Sequence, residues 1–173
     1  MSGELVRLLA GRGEVVHGVD SDAEILERAR EATESSAAVR YTLAEAPHGL
    51  PAGPHDVITC VAVLHHLPFA ETLARFRRGL APGGTLVVVG CARAASRGDH
   101  ALGLLAVPLN MAAGWLKNRG RTAARPVSMT APVREPEMTF AEIVSEARRL
   151  LPGARLRRRL FWRYTLVWRA PSR

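Results

Sequence analysis

Three places in this 173-residue chain carry side chains that could do chemistry if a strand or loop presented them correctly. The first is His65-His66, after the apolar run Val61-Ala62-Val63-Leu64 and before Leu67-Pro68. Small residues such as Val61 and Ala62 at the exit of a strand let a ligand approach the backbone, and an imidazole there can act as a general base near neutral pH. Adjacent side chains leave a strand on opposite faces, so at most one of the pair enters a site. His66 is assigned that role, with His65 as the alternate; the competing reading has one histidine capping a helix and the other packed. The second place is Gly18-Val19-Asp20 followed by Ser21. A short acid at the end of a strand can accept both hydroxyls of a ribose, or it can simply help start the next helix with Ser21. The third is Glu45-Ala46. There a carboxylate could accept from an adenine amino group while the next N–H donates to the ring, or Glu45 is a solvated loop residue.

The elements that must hold these residues can be traced along the chain. Leu5–Ala10 reads as the end of a helix closed by Gly11 and Gly13. A strand over residues 14–19 ends at Asp20, a helix begins after Ser21-Asp22, and Val39–Leu43 is a second strand. Asp56–Leu64 is almost continuously apolar, as expected of a parallel strand covered on both faces. A helix over Phe69–Leu80, a turn at Ala81-Pro82-Gly83-Gly84 and a strand over Thr85–Cys91 follow. Residues 93–138 are irregular, with a helix expected near Leu102–Lys117. Thr139 and Glu142 form a capping-box pair for a helix over Phe140–Leu151. Strands over Ala154–Leu160 and Tyr164–Arg169 close the chain. Only Phe161-Trp162-Arg163 joins them, whereas a parallel crossover needs about a dozen residues or more, so they pair antiparallel. Alternating strands and helices up to Cys91 predict a mostly parallel sheet in an α/β fold, ending in that hairpin.

Composition narrows the classes. A hydrophobic content of 47% supports a real core, and the length suits one domain spanning residues 1–173. Cys60 and Cys91 both lie in apolar runs, which fits a reducing cytoplasm and no disulfide or metal framework. No signal peptide or spanning segment is expected, because Leu102–Leu116 is broken by Gly103, Pro108, Asn110 and Gly114. The net charge of +8 comes almost wholly from Arg, with Lys117 the only lysine, as GC-rich codon usage would produce. Outside the C-terminal segment, interleaved aromatic platforms for single strands are missing, which argues against a nucleic-acid partner. The run Arg157-Arg158-Arg159, next to Phe161, Trp162 and Tyr164, could bind an anionic acceptor; the blander reading, preferred, is a charged strand edge.

Taken in order, five segments resemble the class I S-adenosylmethionine-dependent methyltransferases, small-molecule branch. Gly18-Val19-Asp20 looks like the ribose-binding acid motif, and Glu45-Ala46 the adenine-binding position, where Asp is more usual. "DVITCVAVLHHLP" resembles the fourth-strand motif, and "RFRRGLAPGGTLVVVG" the turn and fifth strand. "RRRLFWRYTLVWRAP" is similar to the terminal hairpin. The resemblance implies a Rossmann-like sheet, S-adenosylmethionine as cofactor, and a small-molecule acceptor in a chain that could form homo-oligomers. It places Gly3, Asp20, Ser21, Glu45, Ala46 and Val61 at the cofactor, His66 or His65 at the acceptor, and residues 93–138 as an acceptor-side cap. The family's first strand and its Gly-x-Gly-x-Gly turn have no counterpart beyond Ser2-Gly3-Glu4-Leu5, with Gly3 matching the last glycine. That strand lies between the second and fourth. Leaving it out strands buried N–H and C=O groups at roughly 1–3 kcal/mol each, in a domain stable by only about 5–15 kcal/mol. The halves rejoining, another segment filling the gap, or an upstream start would each resolve this; a non-catalytic partner subunit is the alternative function.

Overall fold

The computed structural model describes residues 3–11, 15–33, 38–94, 135–159 and 163–172. These fall into two compact units, one up to Pro51 and one from Ala52 onward. Most of residues 93–138, including the helix expected near Leu102–Lys117, lie outside the described residues.

The first unit contains α1 (Glu4–Ala10), β1 (Val16–Asp20), α2 (Ala23–Glu31) and β2 (Val39–Leu43). β1 and β2 pair in parallel from Val16↔Val39 to Asp20↔Leu43. α2 starts where Asp22 accepts hydrogen bonds from the N–H groups of Glu24 (2.9 Å) and Ile25 (3.1 Å), satisfying two donors that the first turn would otherwise orphan. Its Leu26 and Ala29 are buried. Tyr41 of β2 organises the rest. A Cβ on Gly18 would stand 2.8 Å from its ring, and a Cβ on Gly3 would stand 2.8 Å from its hydroxyl. Gly3 also takes φ 69° as the N-cap of α1, which disfavours any other residue there.

The second unit contains β3 (His55–Val61), a 3-10 turn (Leu64–His66), α3 (Phe69–Gly79), β4 (Leu80–Cys91), α4 (Phe140–Leu150), β5 (Arg155–Arg158) and β6 (Arg163–Arg169). Its sheet has the order β3-β4-β6-β5. β3 and β4 run parallel, whereas β6 is antiparallel to both β4 and β5. Leu86, Val88, Tyr164, Leu166 and Trp168 from the sheet, with Leu73, Phe76, Ile143 and Ala147 from the helices, form a buried core. Each large apolar side chain there contributes about 1.5–3 kcal/mol. α4 begins on the expected capping box: Glu142 accepts from the Thr139 N–H at 2.7 Å, and Thr139 accepts from the Glu142 N–H at 3.3 Å. The Arg77 guanidinium donates to the Leu150 carbonyl at 2.9 Å, tying α3 to α4.

Three details differ from the sequence reading. The strand expected to reach Leu64 stops at Val61, because Ala62 turns to φ 57° and the chain winds into the 3-10 turn. β3 is not covered on both faces: Val57 is 56% exposed and among the strand's residues only Cys60 is buried. The reason is its position, since β4 is its partner among the described strands and β3 forms a sheet edge. β1 is likewise an edge, so the ladder runs in two sheets. Finally, the turn at residues 81–84 lies within the extended span of β4, where the register jumps from His55↔Leu80 to Val57↔Thr85.

Candidate active site

Parallel pairing brings the C-terminal ends of β1 and β2 side by side in the first unit. Asp20 stands opposite Leu43, and its carbonyl accepts from the Ala44 N–H at 3.0 Å. Asp20, Ser21, Glu45 and Ala46 therefore share one end of this sheet. The Asp20 Oδ1 accepts from the Asp22 N–H at 3.0 Å, which fixes the carboxylate over the strand end. Helix initiation itself belongs to Asp22. Oδ2 has no hydrogen-bond partner among the described residues. Ser21 and Glu45 are exposed and Ala46 is half-buried. The loop holding Glu45 is tight: its carbonyl accepts from the Gly49 N–H at 2.7 Å. Gly3 lies at the start of α1 against Tyr41 and Ala29.

Val61, His65 and His66 belong to the second unit. Val61 is half-buried at the end of β3. The left-handed Ala62 is strained for a residue with a Cβ, and its N–H donates to the Val89 carbonyl at 2.7 Å. The turn is braced from beneath by Cys60, a buried thiol to which the backbone N–H groups of Leu64 and Val63 donate; burial pushes it up to about 11. Leu64 is wholly buried, so the 3-10 turn holds the two imidazoles in a fixed pose, ring centroids 4.0 Å apart and tilted by 40°.

The turn separates the two histidines. A cavity of about 160 Å³ lies beside it, walled by Leu64, His65, Phe69, Cys91, Met138 and Tyr164. His65 lines it, whereas His66 is exposed and is not among its lining residues. Burial, reinforced by the neighbouring His66, lowers the pKa of His65 and favours neutral imidazole. Its Nδ1 is buried without a hydrogen-bond partner. The opposite wall is Tyr164, 1% exposed, whose phenol lies over Gly90 so closely that a Cβ there would sit 2.5 Å from the ring. Burial raises the Tyr164 pKa well above that of free tyrosine, so the phenol stays protonated. From the sequence, Tyr164 stands out only beside the arginine run as part of a surface for an anionic acceptor, and Met138 not at all. The one available signal was Gly90 inside a β-branched run, which marks a close approach to a strand. Among the described residues no group of His, Cys, Asp and Glu could hold a metal ion, and no helix is long and apolar enough to cross a membrane.

The first unit thus carries an acid at one strand end, and the second a histidine-lined cavity beside a parallel strand. Residues 1–88 match the family described as a methyltransferase domain. A protein of Mycobacterium tuberculosis named an uncharacterized methyltransferase is 35% identical over 172 residues, covering 98% of this chain and 83% of the relative. The chain belongs to the methyltransferase domain family and is an enzyme of that class. Its fold is similar to that of the S-adenosylmethionine-dependent methyltransferase from Mesorhizobium loti (TM-score 0.63, 16% identity, 96% of this chain and 86% of that one). It is similar as well to the N-methyltransferase NodS from Bradyrhizobium japonicum in complex with S-adenosyl-L-homocysteine (TM-score 0.57, 17% identity, 99% and 74%).

Proposed function

We propose that the chain moves a methyl group from S-adenosylmethionine to a small-molecule acceptor seated in the cavity beside His65. The observation that carries this reading is the strained turn at Ala62, which delivers His65 but not His66 to the cavity wall. His65, and not His66, therefore stands beside the acceptor in this reading. The residues at the end of the β1–β2 pair suit the donor's adenosine. Asp20 would take the ribose through Oδ2, with Ser21 beside it, and Glu45 and the Ala46 N–H would meet the adenine edge. Gly3 would offer backbone of low bulk. When bound, S-adenosylmethionine supplies a methyl group open to in-line displacement. The chain's own share is to orient the acceptor and keep water away.

Calorimetric titration with S-adenosylmethionine tests the donor half. Hydrogen bonds to a charged group are worth about 1.5–3 kcal/mol, so Asp20→Asn should weaken binding roughly 10- to 100-fold. His65→Ala should lower turnover and leave donor affinity unchanged, while His66→Ala should alter neither. A folded sample that fails to bind the donor would support the non-catalytic partner reading. Loss of turnover confined to His66→Ala would return the role to that residue.

A further inference from the structure

The unpartnered nitrogen of His65 says which proton the ring carries. Of its two polar atoms, Nδ1 is buried and has no hydrogen-bond partner, so only Nε2 can meet a ligand. Burying an unpaired N–H forfeits a strong donor that water had satisfied, and orphaned donors are rarer in proteins than under-used acceptors. The proton of the neutral ring therefore belongs on Nε2. A histidine base that works through Nε2 needs the opposite tautomer, which proteins fix by giving Nδ1–H an acceptor. Among the described residues His65 has none.

The walls agree with this polarity. Leu64, Leu67, Pro68, Phe69 and Ile143 are apolar, the exposed Glu137 is the one acid, and neither Lys nor Arg is among the described lining residues. An apolar cavity of about 150 Å³ is known to accept benzene, and this one, at about 160 Å³, is of the same size. We infer that the cavity takes a neutral, ring-sized acceptor molecule that presents a hydrogen-bond-accepting oxygen or nitrogen to the Nε2–H of His65, and that His65 recognises this molecule as a donor without removing its proton. This deepens the acceptor role proposed above and rests on it.

The test needs neither the methyl donor nor turnover. Long-range proton–nitrogen NMR of the whole chain, with the His65 signal assigned through its disappearance in His65→Gln, should place the proton on Nε2. Titration with acetophenone, ethylbenzene and benzoate should rank acetophenone tightest. One neutral hydrogen bond gives it about a 3- to 10-fold advantage over ethylbenzene. His65→Gln, whose amide offers N–H at a similar reach, should keep that preference, and His65→Leu should abolish it. A proton on Nδ1, equal binding of the ketone and the hydrocarbon, or tighter binding of benzoate would each overturn the inference. Failure of S-adenosylmethionine to bind would defeat the methyl-transfer reading and leave these outcomes intact.

Discussion

Replacing Gly90 with alanine should damage both the core and the cavity, and its cost can be worked from the geometry. The added Cβ would stand 2.5 Å from Cζ and from Oη of Tyr164, and 2.7 Å from Cε1. Ordinary van der Waals contact lies at 3.4–4 Å, so the overlap is close to an ångström. Neither side yields easily. The backbone of β4 is held by β3 on one side and β6 on the other, with Gly90 paired to Tyr164 itself. The tyrosine ring is 1% exposed and meets Phe140 at 6.3 Å between centroids. Overpacking of this kind costs about 1–3 kcal/mol, and the pinned surroundings put Gly90→Ala at the upper end. Urea unfolding followed by fluorescence of the buried Trp168 reports on the same sheet. With m near 1–3 kcal/mol/M, the midpoint should fall by about 1–3 M while m stays unchanged. The control is Tyr164→Leu, because leucine lacks all three clashing atoms. In that background the added methyl should cost less than about 0.5 kcal/mol, giving a coupling energy above 1 kcal/mol. Strict additivity of the two changes, or a negligible cost for Gly90→Ala alone, would refute the packing argument.

Ala62→Gly should leave stability unchanged or raise it by up to about 1 kcal/mol, since relief of the left-handed strain offsets the added freedom of glycine; thermal unfolding would show this, and a loss above that size would mean the turn is not strained. Thr139→Ala should cost about 1 kcal/mol by removing half of the capping box. The same cap depresses the Glu142 pKa, chiefly through the Thr139 backbone N–H, so its contribution is present above the usual glutamate range and is lost as pH falls through the lowered value. Glu142→Gln should therefore flatten the acid limb of the stability curve, and an unchanged acid limb would count against it. In the native protein at pH 8, iodoacetamide should label the half-buried Cys91 before the buried Cys60, whose thiol is held protonated. Peptide mass spectrometry reads the order, and acetophenone should slow the Cys91 reaction because that residue lines the cavity.

Local chemistry made much of this architecture readable. β2 appears over the residues expected from its apolar pattern, Val39–Leu43. α4 starts at its capping box, and the closing hairpin follows from a connection too short for a crossover. Each of those signals lies within a few residues of the feature it specifies. The missing pieces depend on atoms far apart in sequence. Nothing near Gly90 names the tyrosine 74 positions later whose ring covers it. The exposure of β3 could not be read from its apolar run, because burial of a strand depends on what stands on either side of it.

The two histidines show the same limit at the site itself. Alternation along a strand correctly implied that only one of them could enter a cavity, but the premise of a strand was wrong at that point. Once Ala62 turns left-handed, the pair lies on a tight 3-10 turn, and orientation follows three-residue periodicity. Leu64 is then the residue driven into the core, and it carries His65 to the wall while His66 remains exposed. Asp20 was easier to place because a parallel register fixes strand ends pairwise, whatever lies beyond them. Residues at paired strand ends are thus legible from pattern, while a residue chosen by a single strained dihedral becomes visible only in three dimensions. If the acceptor is seated beside that turn, as proposed, it is the part of the chemistry least readable from pattern alone.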